Sequence, residues 1–238
     1  MRKFFMMIGL AAGLAACMQI ETAPVSTAPP PAVTAPAPAG AVVGTPQRNF
    51  AAVQARVMPV ATRECRARAP QLSCDFTVVV DDRPGVPPNA YQTLDRANRP
   101  VIVFTRSLIE MTRNPDELAF VMGHEAAHHI ENHIARQREA ASAGALIFAG
   151  LASLTGGDAT AVRAAQDIGA AVGARSYSKE FELEADRLGA IIAQRAGFDA
   201  INGTALFSRI PDPGNRFFGT HPPHAQRIAA VRQAVGRN

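Results

Sequence analysis

Several features that define common functional classes are missing from this 238-residue sequence. It has no tryptophan, only 6% aromatic residues and no basic cluster interleaved with aromatic side chains, so binding of nucleic acid is not predicted. It also has no GxGxxG pattern, no phosphate-binding loop and no internal repeat. The formal net charge is +4, and without the two basic residues near the N-terminus it is +2 (22 basic against 20 acidic residues). Charge therefore says little about function.

The apolar run near the N-terminus is too short to span a membrane. It follows Arg2 and Lys3, as in a secretory signal peptide, and it ends in Leu-Ala-Ala-Cys17, which resembles a bacterial lipobox. We therefore predict a lipoprotein signal peptide over residues 1–16 and acylation of Cys17, because more than one acyl chain gives stable membrane anchoring. An ordinary signal peptide with an incidental cysteine is the alternative. Met18 stands where an aspartate commonly retains such lipoproteins in the inner membrane, which favours the outer membrane.

The rest of the chain divides into a tether and one domain. Residues 17–46 consist mainly of Pro, Ala, Thr and Val with almost no charge, so we predict a flexible segment without a core. Residues 47–238 are long enough for one domain with a substantial core. Cys65 and Cys74 would lie in an oxidising compartment, and we predict one disulfide between them across a short loop. Two free thiols are the alternative.

The segment His-Glu-Ala-Ala-His that contains His124, Glu125 and His128 is an HExxH motif. Histidines four residues apart share one face of a helix, so both imidazoles can reach one metal ion. Glu125 lies beside the first histidine and can contact a metal-bound water. A Zn²⁺ ion with three protein ligands keeps one open position, where the pKa of bound water falls to about 7. The motif thus predicts metal-assisted hydrolysis; a solvated helix rich in His and Glu is the alternative.

The residues before the motif are typical of a helix start. Asn114 suits the N-cap, Pro115 the first helical position, and Glu117 completes a capping-box-like pattern. Apolar residues then recur at helical spacing, and we predict a helix over residues 115–138. The histidines and glutamate of the motif would point into the protein, where buried polar groups need a partner, and a metal ion is the simplest one.

The third metal ligand is not given by the motif itself. In one class of zinc protease the motif extends to HExxHxxGxxH, but here Glu131 holds the glycine position and Ile134 the last histidine position. Without that glycine we expect the helix to continue through residue 135, so the third ligand must come from elsewhere. The best source is a predicted helix over residues 177–196.

Three glutamates of this second helix compete for the role. A metal-bound histidine usually donates its other ring N–H to a carboxylate or carbonyl, and a ligand Glu with an orienting Asp would lie four residues apart. Glu182 and Asp186 satisfy this spacing. We therefore predict Glu182 as the third ligand and Asp186 as the carboxylate that orients a histidine ligand. Glu180 and Glu184 are then expected on a solvated, charged face.

The HEAAH motif and the downstream E-x-x-A-D pattern over residues 182–186 together resemble the M48 family of zinc metallopeptidases. Residues 89–91 (Asn-Ala-Tyr) resemble its cleft-edge segment, and residues 116–119 (Asp-Glu-Leu-Ala) its lead into the HExxH helix. The resemblance extends over residues 76–228. It implies an α+β, mainly helical, gluzincin-type metalloprotease domain with a small sheet bordering the active-site cleft. Gly123 departs from it, because many relatives carry alanine there.

His221, with Pro222 after it and Arg-Ile at residues 227–228, resembles the C-terminal signature of the same family. The resemblance implies that His221 lies near the metal, either as a donor to the oxyanion of the tetrahedral intermediate or as a cap that holds the enzyme latent. A surface histidine at a turn is the alternative. The remaining histidines, which we expect to be structural or surface residues, are His129, His133 and His224.

The coarse elements around the motif are two strands, two short helices and a hairpin. We predict strands over residues 76–81 and 101–105, with a short helix over 107–113 and a last helix over 223–235. Residues 140–174 are rich in Ala, Gly, Leu and Ile and break at Gly-Gly-Asp, which predicts an apolar helical hairpin. It is either buried core or a membrane-facing or lid-like insertion.

These expectations combine into one function. The chain is predicted to be a zinc metalloendopeptidase with one Zn²⁺ per chain, held by His124, His128 and Glu182, with Glu125 as general base. Unfolded or misfolded envelope proteins are the expected substrates, bound by strand addition near residues 89–91. The expected location is the periplasmic side of the bacterial cell envelope, lipid-anchored at the outer membrane. The alternatives are a chaperone-like factor that works with the outer-membrane assembly machinery and a non-catalytic, metal-stabilised lipoprotein.

Overall fold

The structure, a computed structural model, describes residues 46–176, 178–212, 214 and 221–236. The predicted signal peptide, Cys17 and nearly all of the predicted tether lie outside the described residues, as does residue 177, where the predicted second ligand helix begins.

The described residues form helices around a small sheet, in agreement with the predicted α+β class. The eight α-helices of this part of the chain, in order, are α1 (Pro46–Arg68), α2 (Arg106–Met111), α3 (Pro115–Ile130), α4 (His133–Leu154), α5 (Ala159–Ser176), α6 (Ser178–Arg195), α7 (Ala200–Gly203) and α8 (His224–Val235). A 3₁₀ helix over Thr204–Arg209 follows α7 directly. The strands are β1 (Thr77–Asp81), β2 (Ala90–Leu94) and β3 (Pro100–Thr105).

The sheet has the order β1-β3-β2, with β3 parallel to β1 and antiparallel to β2. The central strand is rich in β-branched and aromatic residues and almost entirely buried, as expected for a strand covered on both faces. The bounds of β1 agree within one residue with the strand predicted over residues 76–81. β2 contains the Asn-Ala-Tyr segment only in part, since it begins at Ala90. The sheet therefore ends, on the β2 side, in a strand with one unpaired edge within the described residues.

Helix α3 lies at the centre of the domain, with α1, α6 and the sheet packed around it. Its N-terminus forms as the sequence predicts: the Asn114 side chain accepts a hydrogen bond from the Glu117 amide at 2.9 Å, and Pro115 takes the first position. Most of its residues are buried, including Phe120, Met122, His124 and Glu125, and His128 is partly buried. Because the core surrounds α3 on several faces, its polar side chains are held in fixed positions.

The predicted end of this helix is wrong. We expected one helix over residues 115–138, but α3 ends at Ile130 and α4 begins at His133. Asn132 between them has φ 56°, in the left-handed region that asparagine tolerates better than most residues. A residue in that conformation cannot continue a right-handed helix, so the chain changes direction one turn after the motif.

Helix α1 carries a disulfide and was not among the predicted elements; it contains Pro59, a residue that usually breaks or kinks a helix. Val53, Val57 and other apolar residues of α1 are nevertheless fully buried in the core. Near its end, Cys65 is joined to Cys74, with 5.7 Å between their Cα atoms, as the sequence predicted. The disulfide fixes the end of α1 to the segment that leads into β1.

Helices α4 and α5 form the predicted hairpin, but it is not buried core. The two helices touch through glycine: a Cβ built on Gly144 would lie 2.1 Å from the Gly169 carbonyl oxygen, and one on Gly173 would lie 2.0 Å from the Ala140 carbonyl oxygen. Larger apolar side chains of the hairpin point outward. Of the eight exposed large hydrophobic residues among those that the structure describes, five lie on the hairpin: Leu146, Ile147, Leu151, Leu154 and Ile168. Across the part of the chain that the structure describes, no helix combines the length and hydropathy needed to cross a membrane.

Candidate metal centre

Three side chains from α3 and α6 converge at one point. His124 and His128 lie one turn apart on α3, and Glu182 faces them from α6. The two Nε2 atoms are 3.0 Å apart, and the Glu182 carboxylate lies 3.6 Å from His124 Nε2 and 3.3 Å from His128 Nε2. The structure thus brings together the three residues that the sequence proposed as ligands.

The geometry of this cluster fits a metal ion. Bonds of about 2.0–2.2 Å in a tetrahedral arrangement separate neighbouring ligand atoms by about 3.3 Å. The three separations in the cluster lie around that value. Moreover, Glu182 Oε2 is buried and has no hydrogen-bond partner among the described residues, which is costly for a carboxylate oxygen unless a cation satisfies it. A nitrogen- and oxygen-ligand set of this kind suits a divalent transition metal.

The carboxylate of Asp186 supports His124 from behind. Asp186 Oδ1 lies 3.0 Å from His124 Nδ1 and is fully buried, and Arg227 of α8 binds both of its oxygens at 2.7 and 2.8 Å. Burial opposes ionisation of Asp186, but Arg227 and His124 outweigh it and hold the pKa of Asp186 below its usual range. The Asp186 carboxylate is therefore an anion that accepts a hydrogen bond from His124 Nδ1–H and leaves Nε2 directed at the cluster.

His128 has a different partner, His133, which we expected to be structural or at the surface. The two Nδ1 atoms lie 2.8 Å apart, and His133 Nε2 lies 3.0 Å from Glu184 Oε2. The expectation that Glu184 lies on a solvated face is wrong: it is half-buried and also bound by Arg136 at 2.6 Å. The cause is the break at Asn132, which places His133 beside His128 instead of continuing α3 past it. Glu180, by contrast, is exposed as expected.

Protonation at the site follows from burial and charge. Burial opposes ionisation of Glu182, but the imidazoles of His128 and His124 outweigh it and hold the pKa of Glu182 well below its usual range. Burial lowers the pKa of His133 to about 4, against the opposing effect of the hydrogen bond to Glu184. At neutral pH the cluster therefore combines an ionised carboxylate with a neutral His133.

An open cleft borders the cluster. Glu125, His124 and Glu182 line it together with residues of β2 and its approach, and apolar side chains of α2, α3 and the 3₁₀ helix complete its walls. Glu125 is buried beside the ligands and reaches the cleft. The arrangement places a carboxylate base, a metal-binding set and an exposed strand edge around one space.

His221 lines the same cleft. Its Nε2 atom lies 3.6 Å from Glu182 Oε2, and about half of its side chain is exposed. Of the other histidines predicted not to be ligands, His129 is buried with a ring nitrogen 2.7 Å from the Ser73 carbonyl oxygen, and His224 lines the same cleft as His221 and stacks on Phe207. The structure thus brings His221 close to the ligand cluster without placing it in the three-residue set.

Arg227 is the main site residue that the sequence argument did not identify. It is buried, its guanidinium lies over the Phe207 ring at 4.5 Å, and it approaches Glu182 Oε2 to 3.7 Å. The only signal for it was the Arg-Ile pair after His221-Pro222, which the resemblance singled out without a role. In this structure, the arginine of that Arg-Ile pair is the buried Arg227 of α8.

Comparisons with known proteins agree with this site. The profile of peptidase family M48 matches residues 47–235. The beta-barrel assembly-enhancing protease of Escherichia coli K12 is 29% identical over 158 residues, which are 57% of this chain and 31% of the relative. The beta-barrel assembly-enhancing protease of Yersinia pestis is 32% identical over 158 residues, with the same shares of the two chains. A Vibrio cholerae relative is 36% identical over 121 residues, which are 47% of this chain and 24% of that protein.

The chain thus spans about a quarter to a third of the length of the curated relatives that it matches. The family profile, in contrast, covers most of the sequence, including the three converging side chains, Asp186 and Arg227. The chain therefore belongs to peptidase family M48, whose members are metal-dependent peptidases.

Proposed function

We propose that this protein is a zinc-dependent endopeptidase that cleaves unfolded or misfolded proteins of the bacterial envelope. The observation that carries the proposal is the convergence of His124, His128 and Glu182 beside Glu125 on an open cleft. Two histidines and a glutamate are a catalytic zinc set, because three protein ligands leave one coordination position open. A closed structural site would need a fourth protein ligand, and the described residues supply three.

The residues of the site have distinct tasks in peptide hydrolysis. His124, His128 and Glu182 would hold the zinc ion, which would supply a bound water with a pKa of about 7 and a Lewis acid for the substrate carbonyl. The Glu125 carboxylate takes the proton from the attacking water and delivers it to the leaving amine. Asp186 and Arg227 hold His124 in the orientation that directs its Nε2 at the ligand cluster.

The sheet supports binding of extended substrates. Among the described residues, no strand pairs with the edge of β2 that faces away from β3, and Asn89 and Ala90 line the cleft. An unpaired strand edge binds an extended peptide by adding a strand to the sheet, and main-chain hydrogen bonds supply much of the affinity. Folded proteins offer few such segments, so the geometry favours unfolded chains as substrates.

The membrane and the outer-membrane assembly machinery are the partners that we propose. Acylation at Cys17 would tether the domain to the periplasmic face of the outer membrane through residues 17–46. The E. coli and Y. pestis relatives are named as beta-barrel assembly-enhancing proteases. Misfolded or stalled outer-membrane proteins are therefore the substrates that we propose for this chain.

The test is digestion of casein and of an unfolded outer-membrane protein by the wild type and by Glu125→Gln. We expect the variant to bind zinc with wild-type stoichiometry but to lose activity by at least a hundredfold, because general-base catalysis contributes on that order. Glu180→Gln is the matched control, since Glu180 is an exposed glutamate on α6. Equal activity of wild type and Glu125→Gln would overturn the mechanism.

The names of the relatives favour a second candidate, in which the protein assists assembly of outer-membrane proteins and cleaves them only rarely. Under this alternative, Glu125→Gln would complement a deletion strain for envelope integrity as well as the wild type does. Loss of complementation by Glu125→Gln, at equal protein level, favours the protease.

The role of His221 can be read from the same assay. If His221 donates a hydrogen bond to the oxyanion, replacing it by alanine lowers the turnover number by about a hundredfold or more and leaves zinc affinity unchanged. If His221 instead caps the metal and blocks the substrate, replacing it by alanine raises activity. Unchanged activity in His221→Ala would contradict both roles.

A further inference from the structure

His133 stacks face to face on Phe181 and makes a short nitrogen–nitrogen contact with His128. It is 5% exposed, and its imidazole stacks on the Phe181 ring with 4.5 Å between centroids and 10° between planes. Its Nδ1 atom lies 2.8 Å from His128 Nδ1. A contact this short between two ring nitrogens is a hydrogen bond with one donor and one acceptor.

The direction of that bond follows from the groups at its two ends. His128 directs Nε2 at the ligand cluster, so as a metal ligand through Nε2 it carries its proton on Nδ1 and donates it. His133 Nδ1 must then accept, which places the His133 proton on Nε2. That nitrogen lies 3.0 Å from Glu184 Oε2, and an ionised carboxylate only accepts. Both hydrogen bonds then have one donor and one acceptor: His128 donates to His133, and His133 donates to Glu184.

Glu184 is itself fixed by Arg136. The two guanidinium nitrogens lie 2.6 and 3.3 Å from the two carboxylate oxygens, and the guanidinium carbon lies 4.3 Å above the Phe181 ring. Hydrogen bonds between charged partners of this kind are the stronger ones in proteins. Arg136 therefore contacts the same phenylalanine, Phe181, on which His133 stacks.

We propose that His133 and Glu184 are positioning residues that hold His128 in the tautomer and orientation in which its Nε2 binds zinc. The two histidine ligands are then supported in parallel ways: His124 directly by the Asp186–Arg227 pair, and His128 through His133 by the Glu184–Arg136 pair. A partner that fixes the second nitrogen of a metal-bound histidine raises metal affinity by about 10- to 100-fold. This inference rests on the proposed zinc site.

Three variants separate positioning from simple packing. His133→Phe keeps a ring that can stack on Phe181 but removes the acceptor for His128, whereas His133→Gln keeps an oxygen acceptor and an N–H donor for Glu184. His129→Phe is the matched control, because His129 is the neighbouring buried histidine and contacts Ser73 instead of the ligands.

Zinc affinity is measured by competition with a chelator on the folded proteins. We expect His133→Phe to weaken zinc binding by about 10- to 100-fold, His133→Gln to restore most of the affinity, and His129→Phe to leave it unchanged. Glu184→Gln should fall between wild type and His133→Phe, because a neutral amide oxygen is the weaker acceptor.

A second readout does not depend on any variant. In the zinc-loaded wild type, ¹⁵N NMR should show His128 protonated on Nδ1 and His133 protonated on Nε2. The opposite tautomer at either residue, or equal zinc affinity of His133→Phe and His129→Phe, would overturn the inference. A wild type that binds no zinc would overturn the proposed function as well, so the two failures are distinguishable.

Discussion

Gly123 and Gly189 lie in direct backbone contact where α3 crosses α6. A Cβ built on Gly123 would lie 2.5 Å from the Gly189 carbonyl oxygen, and one built on Gly189 would lie 2.6 Å from the amide nitrogen of His124. Both distances are far below an ordinary van der Waals contact, so neither position has room for a methyl group. The close approach lets His124 on one helix and Glu182 on the other reach a common point.

We therefore expect Gly189→Ala to separate the two ligand helices. The added methyl meets backbone atoms, which cannot rotate away, and overpacking of this kind costs about 1–3 kcal/mol of stability. Zinc affinity should fall together with the free energy of unfolding, because the ligand atoms move apart. Denaturant unfolding and chelator competition measure the two effects.

Gly150→Ala is the control for this substitution. Gly150 lies on the outside of α4, and a Cβ there would meet nothing within 4 Å. Alanine is the better helix former, so we expect this variant to gain about 0.5–1 kcal/mol with unchanged zinc affinity. Full zinc affinity in Gly189→Ala would show that the helix spacing does not set the ligand geometry.

Replacing Arg227 by methionine should damage both folding and metal binding. Asp186 would keep a buried charge without its guanidinium partner, and removing one member of a buried ion pair costs about 3–5 kcal/mol. We expect a lower unfolding midpoint and weaker zinc binding, since Asp186 also holds His124. As a comparison, Arg83→Met removes an exposed partner of Asp81, and its unfolding midpoint should match that of the wild type. An unchanged midpoint in Arg227→Met would contradict the expectation.

Acid should weaken the contact between α1 and α6 at Glu64. Partial burial opposes ionisation of Glu64, but hydrogen bonds from Arg68 and Arg195 outweigh it and hold the pKa of Glu64 below its usual range. A carboxyl group with a lowered pKa in the folded state stabilises the protein above its unfolded-state pKa of about 4.3. That contribution is lost as the pH falls through the lower, folded-state pKa.

Glu64→Gln makes this testable. The variant should be less stable than the wild type at neutral pH, and the difference in unfolding free energy should shrink as the pH falls below about 4.3. Urea unfolding at several pH values between neutrality and pH 3 measures it. A difference that stays constant over that range would show that the charge of Glu64 is not involved.

The sequence predicted those parts of the site that are encoded locally. The N-terminus of α3 depends on the three residues Asn114, Pro115 and Glu117, and the pairing of Glu182 with Asp186 depends on helical spacing within α6. The end of α3 was missed because a left-handed asparagine is a backbone choice that no neighbouring residue indicates. Arg227 pairs with a carboxylate 41 positions earlier in the chain, and such a contact is not visible in local patterns.

Polar replacement of the outer face of the α4–α5 hairpin should leave the domain stable. Leu146, Ile147, Leu151 and Leu154 are 60–88% exposed, so changing all four to glutamine removes little buried area. We expect unchanged zinc affinity and an unfolding free energy within about 0.5 kcal/mol of the wild type. Self-association, measured by sedimentation velocity, should decrease because an exposed apolar patch is lost.

Phe148→Gln serves as the contrast, because Phe148 is half-buried against Gly169 between the two helices. This single change should lower the unfolding midpoint, whereas the fourfold outer variant should not. A large loss of stability in the fourfold variant would mean that the outer face is packed in solution.

Because the chain turns at Asn132, α4 is a separate helix, and its first residue, His133, contacts His128. The same 22-residue helix ends at Leu154, about 33 Å away at 1.5 Å per residue, among the exposed apolar side chains. One helix therefore contacts His128 through its first residue and exposes apolar side chains near its last residue. A partner that covers Leu151 and Leu154 would therefore bind the same helix whose first residue contacts His128.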